Sequence, residues 1–237
     1  MTFRYPATLH CTWTSVKMAW AGRPLKAAVA LGLLAAGAHP APADAQEPCR
    51  ISVLGDSLAA GYGLPEPEGF AAVLQSALRE RGYDCAVLNA GVPGDTSAGG
   101  RSRVDWTLAD EPSHVIVELG ANDGLRALPV PQMEDNLAGI LQSVQQAGLP
   151  VLLAGMLAPP NLGETYTQAF AEVFPRLADQ FDVPLYPFFL EGVALDPALN
   201  QEDRIHPNKA GVERIVANIL PTVTAWLDAT GVPGEPS

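Results

Sequence analysis

Five short apolar runs limit what this chain can fold into: RISVLG (50–55), CAVLN (85–89), HVIVEL (114–119), PVLLAG (150–155) and VPLY (183–186). They are nearly continuous in hydrophobicity rather than alternating, the pattern of strands covered on both faces. Helix-like stretches separate or follow them at 69–81, 132–147, 165–180 and 208–227. Gly148 and Pro150 give the second of these a stop signal before the next strand. Strand and helix alternating on this spacing predict an α/β fold, doubly wound around a mostly parallel sheet. In such sheets functional groups collect beyond the carboxyl ends of the strands.

The first 45 residues have a different character. Arg23 and Lys26 precede an apolar run from Ala27 to Ala38, and Ala43-Asp44-Ala45 offers a small-residue cleavage site before Gln46. That order is the layout of a secretory signal peptide, and the run is too short to span a bilayer as a helix. Residues 1–17 fall outside the pattern, which leaves Met18 as an alternative start. The reading predicts an exported protein, periplasmic or secreted, with one domain over 46–227 and a disordered Gly/Pro-rich tail at 228–237.

Losing residues 1–45 removes four of the 14 basic side chains and one of the 26 acidic ones, so the mature charge is about −15. Such a surface repels nucleic-acid phosphates and anionic bilayers. No stable membrane span is expected in the mature form. Cys49 and Cys85 each lie six residues before a glycine, Gly55 and Gly91. If both open neighbouring parallel strands, their sulfurs share one end of the sheet. A disulfide and two buried free thiols fit equally well. With two histidines and two cysteines left, and those scattered, no metal or redox site is expected.

Just past the predicted strands stand GDSL (55–58), NAGVPGDTSAGG (89–100) and GAND (120–123), and DRIHPN (203–208) precedes the last helix. Taken singly, each has a structural explanation. Ser57 or Asp203 can cap a helix, Asn122 and Asp123 can close a turn, and Gly91, Gly94, Gly99 and Gly100 can serve a loop. The histidines shift the balance. His114 opens a strand at the wrong rim for chemistry and reads as structural. His206 follows Asp203 by three residues, so the carboxylate can hold one imidazole nitrogen while the other faces Ser57, as a general base requires. The Ser57 and Gly94 backbone N–H groups and the Asn122 carboxamide are candidate donors to an oxyanion. Leu125, Leu128 and Val130 form a candidate apolar lip for an acyl chain, with Met156 and Pro159 in the opposite wall; both segments could equally be loops tucked against the core.

GDSL with Ser57, NAGVPGDT with Gly94, GAND with Asn122 and DRIHP with Asp203 and His206 resemble, in order, the four blocks of the SGNH (GDSL-type) hydrolase superfamily. Residues 153–193 are similar to the exported bacterial thioesterase/lysophospholipase/arylesterase subgroup, and the resemblance covers nearly all of 50–227. No G-x-S-x-G elbow surrounds Ser57. The resemblance implies a flavodoxin-like, three-layer α/β/α fold with a five-stranded sheet. It also implies a Ser57–His206–Asp203 triad, oxyanion donors at Ser57, Gly94 and Asn122, and metal-free hydrolysis of small-molecule acyl esters or thioesters. A carbohydrate acetyl-esterase or acyltransferase is the alternative within the superfamily, and a phosphate-binding α/β module the alternative outside it. The latter lacks a G-x-x-x-x-G-K-[ST] loop.

Overall fold

Each apolar run is a strand in the computed structural model, which describes residues 49–234. The strands are β1 (Cys49–Gly55), β2 (Cys85–Gly91), β3 (His114–Glu118), β4 (Val151–Ala154) and β5 (Leu185–Tyr186). They form one sheet in the order β2-β1-β3-β4-β5, with every pairing parallel. Ile51, Val53 and Leu54 in β1 and Val115 to Val117 in β3 are completely buried. Continuous hydrophobicity is therefore what these strands need, since helices cover both faces.

The helices are α1 (Ser57–Ala60), α2 (Phe70–Glu80), α3 (Ser97–Ala109), α4 (Ala121–Leu125), α5 (Val130–Gln146), α6 (Glu164–Ala171), α7 (Val173–Phe181) and α8 (Lys209–Ala229). Helices α2 and α8 pack together, while α3 packs on α5 and α5 on α7, giving the outer layers of an α/β/α sandwich. In α2 the buried stripe is Phe70, Ala71, Leu74 and Leu78; full burial of each leucine contributes roughly 2 kcal/mol. Among the described residues no helix is long and apolar enough to cross a membrane.

Three expectations require correction. The stretch after β2, read as glycine loop, turns into α3 at Ser97, where Thr96 caps the helix by accepting from the Gly99 N–H. Its buried stripe is Ser97, Gly100, Val104 and Thr107, so helical periodicity is present without hydrophobic contrast. The single helix expected over 165–180 is two, broken at Glu172. Pro175 has no N–H for the carbonyl four residues back, which ends the α6 ladder. The tail is ordered further than its composition suggests: α8 continues to Ala229, and Val232 packs on the core. The leader at 1–45 and residues 235–237 lie outside the described residues.

Cys49 and Cys85 are register partners at the amino ends of β1 and β2, with Cα atoms 4.6 Å apart and the sulfurs bonded in a disulfide. Closing a loop of this sequence separation, 36 residues, raises stability by about 4 kcal/mol in the chain-entropy account. At the same rim His114 is enclosed, its Nδ1 2.8 Å from Ser113 Oγ and its Nε2 2.9 Å from Thr230 Oγ1.

Candidate active site

Strand order reverses between β1 and β3, with β2 on one side and β4 on the other. The crevice outside the carboxyl ends at such a switch point is where parallel α/β sheets hold ligands. Gly55 and Glu118 face each other at that end of the register. A Cβ on Gly55 would sit 2.5 Å from Ala59 Cβ and 2.6 Å from Glu118 Oε2, so only glycine permits the turn out of β1.

Asp56, not Ser57, caps α1; its carboxylate accepts from the Leu58 N–H at 3.0 Å. Ser57 is thereby the first helical residue, whose N–H has no intrahelical partner. Ser57 Oγ lies 2.9 Å from His206 Nε2. His206 Nδ1 lies 2.6 Å from Asp203 Oδ2, while Asp203 Oδ1 accepts from the backbone N–H groups of Ile205 and His206 at 2.9 and 3.0 Å. Those hydrogen bonds, the His206 side chain's first, lower the Asp203 pKa to about 2. An ionised Asp203 places the imidazole proton on Nδ1 and leaves Nε2 to accept from the Ser57 hydroxyl. The cap of α8, one of the structural explanations open to Asp203, is made by Asn208, which accepts from the Gly211 N–H. Gln201 Nε2 donates to the Tyr62 and Pro207 carbonyls at 2.7 and 3.0 Å, joining the histidine loop to the segment after α1.

Gly94 has φ +82°, a left-handed backbone that favours glycine. Asn122 Nδ2 donates to Asp56 Oδ2 at 3.0 Å. One turn of α4 is anchored from below, because the adjacent Asp123 is buried and accepts from Ser97 Oγ and the Ser97 N–H at 2.6 and 2.8 Å. Ser57, Gly94, Asn122, Asp203 and His206 all line one cavity of about 820 Å³, whose remaining lining includes Tyr62, Leu125, Met156, Leu157, Pro159 and Leu195. Of the candidate acyl-lip residues, Leu125 belongs to it, as do Met156 and Pro159 opposite. Leu128 and Val130 do not. The Leu128 carbonyl is taken by the Tyr166 hydroxyl at 2.8 Å, and Val130 opens α5 as part of the core. A second cavity, of about 720 Å³, opens at the amino ends of β4 and β5, the opposite rim.

Several residues supporting this arrangement escaped the sequence reading. Arg103, on α3, donates to the Gly55 and Ala90 carbonyls at 2.7 Å each and pairs with Asp95 at 2.6 Å. It braces the end of β1 against the glycine loop. Glu118 is completely buried, and its Oε2 accepts from the Asp56 N–H at 3.4 Å. Burial, then the nearby Asp56 charge, pushes its carboxyl well above the ordinary range. The signal for it was a lone charge inside HVIVEL. Asp56 sits in the quoted GDSL, where only the serine was given work.

Burial also raises the Asp56 pKa to about 6, against the bonds from Leu58 and Asn122, which lower it. The folded protein holds that proton up to about pH 6, whereas an unfolded chain releases it near 3.8. Stability therefore falls as pH rises across that interval, by at most about 3 kcal/mol. Asp56→Asn is expected to flatten this fall and raise the melting temperature at pH 8. Leu58 and Asn122 donate to different carboxylate oxygens, so an asparagine would turn its NH₂ toward one of them, and kcat is expected to drop roughly 10- to 100-fold. Melting curves at pH 4 and pH 8 beside kcat check both parts; unchanged turnover would remove Asp56 from the site.

The profile of the GDSL-like Lipase/Acylhydrolase family matches residues 53–214. The chain belongs to that family, the SGNH hydrolases. Among curated relatives it is similar to Esterase TesA of Pseudomonas aeruginosa, 44% identical over 178 residues that cover 75% of this chain and 89% of that protein. It is also similar to thioesterase 1/protease 1/lysophospholipase L1 of Escherichia coli K12, 43% identical over 67% of this chain and 76% of that one. Among solved structures, the psychrotrophic esterase EstA from Pseudoalteromonas sp., inhibited by monoethylphosphonate, superposes with a TM-score of 0.72 at 36% identity. That match covers 76% of this chain and 98% of the other.

Proposed function

We propose that the protein hydrolyses carboxylic ester or thioester bonds of acyl substrates through a covalent acyl-enzyme on Ser57. His206 Nε2 takes the hydroxyl proton as Ser57 Oγ attacks the acyl carbonyl, and Asp203 holds the imidazole in the tautomer that can do so. The developing oxyanion accepts from the Ser57 and Gly94 N–H groups and the second Asn122 Nδ2 hydrogen. His206 then protonates the leaving alcohol or thiol, and a water activated the same way releases the acid. The acyl chain lies along Leu125, Met156, Leu157 and Pro159. Residues 1–45 act as a cleaved leader that delivers the enzyme outside the cytoplasm.

The observation that carries this reading is the continuous Ser57–His206–Asp203 chain of 2.9 and 2.6 Å contacts at the wall of an apolar cavity. An acetyl group would leave most of that cavity unfilled, which ranks acetyl-esters of carbohydrate below longer acyl chains. A fluorophosphonate ester tests the proposal: peptide mass spectrometry is expected to find one adduct, on Ser57. A protein that stays unlabelled, or labels elsewhere, has no activated serine here.

A further inference from the structure

Arg126 follows α4 as its C-cap, one helical turn after Asn122, and is exposed. Its Nη2 donates to the Gly94 carbonyl at 2.7 Å and lies 3.5 Å from Asn122 Oδ1. Among the described residues it has no carboxylate partner, although the protein is strongly acidic. Its hydrogen bonds go to two residues, and those two are the Gly94 and Asn122 proposed to bind the oxyanion. We propose that Arg126 is a positioning residue that holds these two donors in register; the inference rests on the reading of Gly94 and Asn122 given above.

The need for such a brace follows from the chemistry of both residues. A glycine at φ +82° has no side chain to pin it, and its backbone has the largest conformational freedom of any residue. A guanidinium on its carbonyl fixes the peptide that follows and so aims the N–H that precedes. The Asn122 carboxamide can flip between two orientations that differ only in which end donates. Arg126 offers a donor beside Oδ1, and the Asp56 carboxylate accepts from Nδ2 at 3.0 Å. Both neighbours favour the same orientation, with a second Nδ2 hydrogen left for substrate. The fixed positive charge also polarises both groups where negative charge grows in the transition state, and only there does the interaction strengthen.

The test compares Arg126→Ala and Arg126→Lys in the mature protein, with p-nitrophenyl butyrate as substrate. Arg126→Ala is expected to lower kcat roughly 10- to 100-fold, with KM changed by less than about 3-fold. Its melting temperature should stay within about 2 °C, because an exposed side chain contributes little to the fold. Arg126→Lys, which can still donate to the Gly94 carbonyl, is expected to recover part of the loss. In Asn122→Ala the brace has lost one of its two clients, so adding Arg126→Ala should cost less than it does alone. Unchanged kcat, a loss expressed mainly in KM, or full additivity with Asn122→Ala would overturn the inference. If Ser57→Ala keeps its turnover, the proposed function fails; if Ser57→Ala is inactive and Arg126→Ala is not impaired, only this inference does.

Discussion

Ser57→Ala is expected to lower kcat on p-nitrophenyl and acyl-thioester substrates by about 10⁵- to 10⁶-fold while leaving the fold intact. The loss is large because in the proposed mechanism the hydroxyl is the group that bonds to the acyl carbon, so no neighbouring group can substitute for it. The fold survives for local reasons. Among the described residues the Ser57 hydroxyl bonds only to His206, the α1 cap is made by Asp56, and alanine favours helix. Thermal melting and circular dichroism beside the kinetics separate the two effects. Turnover within tenfold of the parent protein would end the assignment.

Asp203→Asn has the next largest expected effect, a fall in kcat of about 10⁴-fold. The substitution nearly preserves shape, and the asparagine oxygen can still accept from the Ile205 and His206 N–H groups. Its NH₂ then faces His206 Nδ1, which must become an acceptor, so the ring proton moves to Nε2. His206 would present a hydrogen to Ser57 where a lone pair is needed. The native carboxylate, with its pKa lowered to about 2, stays ionised down to that pH. What it contributes to stability is present above the ordinary aspartate pKa and is lost as pH falls through about 2. A decline in activity in mildly acidic buffer must therefore arise from a group other than Asp203. Nitrogen NMR of the His206 ring in the variant and the parent would report the tautomer, and a variant with parental kcat would contradict the role given to Asp203.

The sheet was legible because strands covered on both faces need long apolar stretches, which stand out in the sequence. Ser57, Gly94, Asn122, Asp203 and His206 were legible as a set because their blocks follow predicted strands or precede the last helix, and the structure brings all five to one cavity. Helix α3 was hidden by its own packing. Gly100 lies so close to Leu119 that an added Cβ would fall 2.2 Å from the leucine's Cδ1, and a stripe of small and polar residues gives no hydrophobic rhythm. Arg103 was lost with that helix. Leu128 and Val130 were misplaced because an apolar residue after Asn122 has two destinations, cavity or core, and the choice depends on the bend at 126–129. Glu118 needed its distant partner: its place beneath Asp56 follows from strand register, which no short window of sequence contains.

The walls of the large cavity come mostly from the segments that connect the strands, around residues 121–125, 156–160 and 188–195, whereas Ser57 hangs directly from β1. Of these segments, 156–160 and 188–195 hold none of the five candidate site residues, whereas 121–125 carries Asn122. On the proposed reading, exchanging 156–160 or 188–195 would recut the mould for the acyl group while the proton route and the platform beneath it stay untouched, a division of labour that lets one scaffold acquire new tastes cheaply.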